Sequence, residues 1–221
     1  MPNREKPVPI DEEILERLNR GILLRTGAYR TDEHIVLRSG RHTSEYVAKA
    51  LVTTEPTFTE GLGDIIAAHF SRYEVDLVLT TGYGAGLLGH CVARAHPSRP
   101  RFIFATKDKT ANGGTEVTLQ SEYRAFFGEG GRVLIAEDIL TTGETVKQLV
   151  RLVEAMGGRV VGIGAIWRRS TRVKFKYPLF TVVTRDFPTF APEECPMCKQ
   201  GIPISISQST GDGGSEDETE D

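Results

Sequence analysis

Little in this chain could brace it covalently or seat it in a bilayer. Its 221 residues include three cysteines, Cys91, Cys195 and Cys198, too few and too unevenly spaced for a disulfide framework. Packing must therefore hold the fold, and a reducing compartment suits it. No run approaches the roughly 20 apolar residues of a membrane span, and the opening Met-Pro-Asn-Arg-Glu-Lys-Pro lacks the apolar stretch of a secretory signal. A cytoplasmic protein without a membrane partner is expected. Excess positive charge is missing too: the formal net charge is -3, which gives nucleic acid no general attraction, and no basic, aromatic surface is evident. Lys and Arg are absent from the end of the chain, where Asp212, Glu216, Asp217, Glu218, Glu220 and Asp221 gather; leaving out those six acids turns -3 into +3. That slight basic excess is compatible with an anionic substrate but too small to identify one.

What is present is an ordinary globular composition, 39% hydrophobic and 26% charged, in a length that fits one domain with appended pieces better than two. Residues 1–10 carry prolines without periodicity and read as a mobile lead. Ile14, Leu15, Leu18, Ile22 and Leu23 recur at helical spacing behind the acids 11–13, and Gly27 ends that helix. Short strands are expected at 34–37 and 46–52 around a turn-forming cluster at 39–44, and a helix after Pro56. Residues 76–80 read as a strand running into Thr81-Gly-Tyr-Gly-Ala-Gly86 and a helix. Strands at 102–105 and 133–136, a helix from Glu144 and a strand at 160–167 follow. This alternation predicts an α/β fold with a central, mostly parallel sheet, helices on both faces, and ligands bound outside the carboxyl ends of the strands. Residues 107–124 are polar and rich in turn formers. They read as a mobile loop in which 117–119 and 123–127 could pair as a hairpin. Past a strand near 180–184 the composition shifts, and 205–221 is expected to be a disordered acidic tail after a single domain at 11–204.

The most informative stretch is 132–146, Arg-Val-Leu-Ile-Ala-Glu-Asp-Ile-Leu-Thr-Thr-Gly-Glu-Thr-Val. A buried strand stops at two carboxylates, Glu137 and Asp138; a tight loop of small hydroxylated residues and Gly143 then enters an amphipathic helix. A loop entering a helix offers unpaired N–H groups and the positive end of the helix dipole, which together hold a phosphate dianion. Thr141, Thr142 and Thr145 add hydroxyl donors, and Gly143 permits close approach. Carboxylates cannot hold phosphate, so Glu137 and Asp138 must serve sugar hydroxyls, a divalent metal or a developing positive charge.

The run 133–145 resembles the phosphoribosyl-diphosphate motif of type I phosphoribosyltransferases. Within that family the chain is most similar to orotate phosphoribosyltransferases, in the bacterial and archaeal form with Cys-Pro-x-Cys near its end. The likeness spans roughly 11–204. Thr26-Gly-Ala and His34-Ile-Val-Leu-Arg-Ser-Gly resemble the family's base-covering hood, taken as 11–52, and Tyr46 and Lys49 fall on its Tyr-x-x-Lys. Gly162-Ile-Gly-Ala-Ile-Trp-Arg-Arg-Ser resembles the segment whose arginine contacts orotate, and 194–204 resembles the subgroup's ending.

The resemblance implies a magnesium-dependent transfer of ribose 5-phosphate from phosphoribosyl diphosphate to orotate, in a homodimer. Thr141, Thr142, Gly143, Glu144 and Thr145 would hold the 5-phosphate. Gly82 and Gly84 would approach the diphosphate, and Glu137 and Asp138 would bind the ribose hydroxyls and steady the cationic sugar. Lys107 and Lys109 would close over the leaving group, and Arg169 with Thr141 would contact orotate. No protein side chain is assigned to a metal, since Mg²⁺ would ride on the substrate. Cys195 and Cys198 supply half the ligands of a zinc site and would need a second chain or distant histidines; His34 and His42 are expected to be structural and Cys91 to be core. Departures from the family pattern are the diphosphate loop Thr80-Thr-Gly-Tyr-Gly-Ala and a mobile loop whose only basic residues are Lys107 and Lys109. Asn112 stands near where the family can place a histidine, and Arg124 could compensate from the far side. Two other readings share the scaffold: a regulator that binds phosphoribosyl diphosphate or a nucleotide without transferring it, and a transferase for another base such as a purine.

Overall fold

The structure, a computed structural model, describes residues 6–37, 40–110, 115–128 and 130–205, with the side chains of Lys49 and Lys109 among those not described. The start of the expected lead, Asn112 and the tail from 206 lie outside the described residues. The chain divides into two compact units, Tyr29–Ala48 with Phe187–Asp221, and Met1–Ala28 with Lys49–Asp186.

The smaller unit is built from strand pairs of minimal length. β1 (Tyr29–Arg30), β2 (Ile35–Val36), β3 (His42–Thr43) and β4 (Tyr46–Val47) form two antiparallel pairs, β1 with β4 and β2 with β3. The segment after Phe187 is stitched on by the backbone, because His42 and Phe190 exchange both N–H···O bonds at 2.8 Å. Arg41 adds a bond from its guanidinium to the Thr189 carbonyl at 2.7 Å.

The larger unit opens with α1 (Glu12–Thr26), capped by the Asp11 carboxylate, which accepts from the Glu13 N–H at 2.8 Å, and closed by Gly27 in the left-handed region. The strand expected at 46–52 stops at Val47, and Lys49–Thr53 coils into α2 instead. Lys, Ala and Leu are strong helix formers, and once the ladder ends nothing holds them extended. α3 (Pro56–His69), β5 (Leu77–Thr81), α4 (Tyr83–Ala95), β6 (Arg101–Lys109) and β7 (Thr115–Thr118) follow. Then come α5 (Arg124–Phe127), β8 (Arg132–Leu140), α6 (Glu144–Ala155), β9 (Arg159–Arg168) and β10 (Leu179–Thr184).

Six strands form one sheet in the order β10-β9-β8-β5-β6-β7, parallel except where β7 returns along β6. α6 seals one face over Leu79, Val133, Ile135 and Ile163. α3 seals the other, so close that a Cβ on Gly162 or Gly164 would stand 2.3 Å from Phe70 or 2.4 Å from Ile66. The mostly parallel sheet with a helical layer on each face is thus realised. The hairpin expected between 117–119 and 123–127 is not: β7 pairs with β6, and 121–127 is helical. An edge strand with free N–H and C=O groups was already available in β6, whereas Arg-Ala-Phe-Phe closes a helical turn at once.

At the amino edge of the sheet, Arg132 locks β8 to the entry of β5. Its guanidinium donates to both Asp76 carboxylate oxygens at 2.8 and 2.7 Å and also reaches Glu74. The Arg132 bonds hold the Asp76 carboxyl below its ordinary value of 3.8. A lowered folded-state pKa contributes stability above the unfolded value and loses it as pH falls through the folded one. The wild-type protein should therefore melt higher than Asp76→Asn above about pH 4, with the gap closing on further acidification. Melting temperatures of the two proteins across that range check this; a gap independent of pH would remove the charge pair as its cause.

Candidate active site

Strand order fixes where a ligand can bind. From β5 the chain proceeds outward to β6 on one side, while β8, β9 and β10 build outward on the other. The loops leaving β5 and β8 therefore diverge at their carboxyl ends, and the crevice between them is where open α/β sheets take ligands. Both glycine-bearing loops singled out in the sequence open here.

β8 itself runs further than its apolar pattern. The expected end at Ala136 is passed, and the ladder continues through Glu137↔Ala165, Ile139↔Trp167 and Leu140↔Arg168. Main-chain pairing with the long apolar β9 does not depend on side-chain polarity, so two acids interrupt the hydrophobic run without ending the strand. Alternation along β8 sends its acids to opposite faces. Asp138, 3% exposed, turns toward α4: a Cβ on Gly84 would lie 2.5 Å from its Oδ2. Glu137, 7% exposed, pairs with Ala165 of the core beneath α6, and its Oε1 accepts from the Asp138 N–H at 3.1 Å. Neither carboxylate points into bulk solvent. The missing side chain at Gly84 is what admits Asp138 to the amino end of α4, whose dipole favours a negative charge there. Gly82, at φ 85°, makes the turn into that helix.

Beyond β8, Thr141 and Thr142 are exposed and Gly143 is buried with φ 75° as the residue preceding α6. The first N–H groups of α6 have no intrahelical acceptors; the Glu144 N–H makes only a 3.4 Å contact with Thr142 Oγ1. The Glu144 carboxylate turns away to Arg151 at 2.9 Å and Lys147 at 3.5 Å. What this residue offers an anion is therefore its backbone. Beside Thr141 and Thr142 opens a cavity of about 400 Å³ bordered by Lys147, Arg172 and Lys174. Those cations, and the packing of Val173 and Phe175 2.8 Å from where a Gly143 Cβ would stand, were not foreseen from sequence. The single signal was the basic pattern of 172–176.

Arg169 follows β9 directly, and its N–H donates to the Leu140 carbonyl at 2.9 Å, which sets it beside Thr141. The preceding Arg168 is occupied in shaping the next loop, donating to the carbonyls of Ser170 at 3.0 Å, Thr171 at 2.7 Å and Val173. Lys107 and Lys109, expected on an irregular loop, belong to β6 and pair with Val117 and Thr115. The Lys107 amine lies 3.4 Å from Thr145 Oγ1, in the first turn of α6. Gln148 of α6 clasps this hairpin, accepting from the Val117 N–H at 2.9 Å and donating to the Thr115 carbonyl at 3.0 Å. The sequence carried no sign of that clasp.

Residues 52–194 match the family described as "Phosphoribosyl transferase domain". The protein called orotate phosphoribosyltransferase in Thermotoga maritima is 35% identical over 192 residues, covering 86% of this chain and 97% of its own. Its namesake in Caldicellulosiruptor bescii is 36% identical over 173 residues, 77% of this chain and 86% of its own. Among solved structures, orotate phosphoribosyltransferase of Mycobacterium tuberculosis superposes with a TM-score of 0.56 at 21% identity, over 78% of this chain and 95% of that one. The adenine phosphoribosyl transferase of Trypanosoma brucei, in complex with AMP, pyrophosphate and ribose-5-phosphate, gives 0.58 at 16% identity, over 76% and 79%. Proteins named for different bases share this fold, so the fold alone does not select one.

Proposed function

The chain belongs to the phosphoribosyl transferase family, and from that premise we propose that it moves ribose 5-phosphate from phosphoribosyl diphosphate to a ring nitrogen of orotate, giving orotidine 5'-phosphate and diphosphate. One observation carries the reading: the Asp138 carboxylate packed against Gly84 at the switch point, next to a threonine-rich loop that opens α6. The choice of orotate is supported by the names of the relatives at 35% and 36% identity, and the Arg169 backbone is bonded to Leu140, the neighbour of Thr141. Arginine is the side chain whose planar fork suits the base's carboxylate.

In the reaction the C1–O bond to diphosphate breaks as the C1–N bond forms, and the sugar acquires oxocarbenium character. The N–H groups of Gly143, Glu144 and Thr145 with the hydroxyls of Thr141 and Thr142 hold the 5-phosphate, and Lys147 adds charge from the adjoining cavity. Asp138 offers its negative charge to the cationic ring and its oxygens to the ribose hydroxyls, with Glu137 behind it on the same strand. The α4 amino end at Gly82 and Gly84 faces the departing diphosphate. Lys107 supplies positive charge from β6, and Lys109 lies two residues further along the same strand. Mg²⁺ would ride on the substrate, with the hard carboxylate oxygens of Asp138 bordering the site. When bound, it neutralises charge on the leaving group.

The test is incubation of the purified chain with phosphoribosyl diphosphate, Mg²⁺ and a panel of purine and pyrimidine bases while diphosphate release is followed. Orotate alone is expected to support release. Release with a purine instead, or substrate binding with no release, would replace this reading by the other transferase or by the regulator. Lys107→Ala should lower kcat roughly 10- to 100-fold and leave the melting temperature nearly unchanged, because the side chain is exposed. A collapsed melting temperature would make the lysine structural. We also place the enzyme in a homodimer, supported by Tyr83 (80% exposed), Leu87 one turn further along α4, and Phe104, whose ring covers Gly86. Light scattering on the eluting protein decides this, and a monomer would remove it.

A further inference from the structure

We propose that the smaller unit is built around a structural zinc ion held by His34, His42, Cys195 and Cys198. The fold brings together two pairs that lie more than 150 positions apart in the chain, and places one ligand atom from each residue within 4.8 Å of the others. Cys195 Sγ and Cys198 Sγ lie 3.6 and 3.5 Å from His34 Nε2, and Cys198 Sγ lies 3.4 Å from His42 Nδ1. A tetrahedral ion with Zn–S of about 2.3 Å and Zn–N of about 2.0 Å sets sulfur and nitrogen ligands roughly 3.5 Å apart. His34 Nε2 and His42 Nδ1 are closer, at 2.8 Å, and would part by about half an ångström as the ion replaced their shared proton.

The surroundings suit a ligand set better than a core. His34 Nδ1 is 2.7 Å from the Ile202 carbonyl, so the proton sits on that nitrogen and the Nε2 lone pair faces the cluster. Metal-binding imidazoles are oriented by such a second bond. Cys195, His34 and His42 are buried, while Cys198 is exposed and leaves a path for entry. Besides Cys195, the buried apolar side chains among the unit's described residues are Ile35, Val47 and Met197. So small an apolar core does not fix two-residue strands by itself, and units of this size commonly rely on a metal. Two thiols and two imidazoles with no carboxylate select zinc over magnesium or calcium. Four protein ligands leave no open position, which makes the site structural and separate from the transferase chemistry.

The full-length chain, purified under reducing conditions and freed of loose metal by gel filtration, should carry about one zinc per chain by mass spectrometry. Replacing the zinc with Co²⁺ should give the intense visible bands and the thiolate charge transfer of a tetrahedral site. Cys198→Ser, at an exposed ligand, should lose the zinc and weaken the charge transfer, whereas Cys91→Ser should retain both. A chelator should lower the melting temperature of the wild type and leave Cys198→Ser unmoved. The proposal is overturned if the wild type holds less than about 0.1 zinc per chain and takes up no tetrahedral Co²⁺, or if Cys198→Ser keeps its zinc.

Discussion

Asp138→Asn is expected to lower turnover by on the order of 100-fold or more, while phosphoribosyl diphosphate still binds and the fold survives. The substitution keeps the shape of the side chain packed against Gly84 and removes only its charge. In the proposed mechanism ground-state binding rests chiefly on the α6 loop and the cations near it, which the change does not touch. The charge matters when the leaving group departs and the sugar ring becomes cationic, so the loss should fall on kcat and not on the substrate Kd. Steady-state kinetics with orotate, beside calorimetric titration of phosphoribosyl diphosphate, separate the two. Unchanged turnover would sink the role given to this carboxylate, and with it the main support for the proposed mechanism.

Gly84→Ala should also be damaging, for a steric reason. A methyl group there would stand 2.5 Å from Asp138 Oδ2, closer than any real contact allows, and α4 is anchored by buried Ala85, Leu88 and Val92. The carboxylate must therefore give way, and kcat should fall by about 10-fold or more. The melting temperature should change little, because the atom displaced is the end of a side chain and not backbone. If the effect acts through Asp138, the two substitutions cannot be additive: Gly84→Ala introduced into Asp138→Asn should cost much less than it does alone. Full additivity in that double-mutant cycle would show that the glycine serves the diphosphate independently of the acid.

Much of this site was legible because its signals are local. Glu137, Asp138 and the run Thr141 to Thr145 lie within nine consecutive residues, and the loop-to-helix step proposed to hold phosphate is written in neighbouring residues. Gly143 was readable for the same reason, since only the local turn demands its φ of 75°. The end of β8 was misjudged because hydrophobic pattern reports side-chain environment, whereas the ladder depends on a partner strand that begins nineteen residues after Leu140. Lys107 was placed on a loop because its polar neighbours hid a backbone pairing with β7, which Gln148 secures from α6. The cysteine pair lacked half a ligand set for as long as its histidines were more than 150 positions away.

The sequence by itself determined the alternating strands and helices, the threonine-rich loop that opens α6 and the adjacency of two acids ahead of it, since each follows from the chemistry of neighbouring residues. Only the tertiary structure decided that Asp138 turns to Gly84 while Glu137 turns to the opposite face, and that β5 and β8 lie side by side at the switch point. It also decided that His34 and His42 meet Cys195 and Cys198. Side-chain direction and long-range pairing are set by which surfaces bury each other, and that depends on the whole chain at once, not on any stretch read alone.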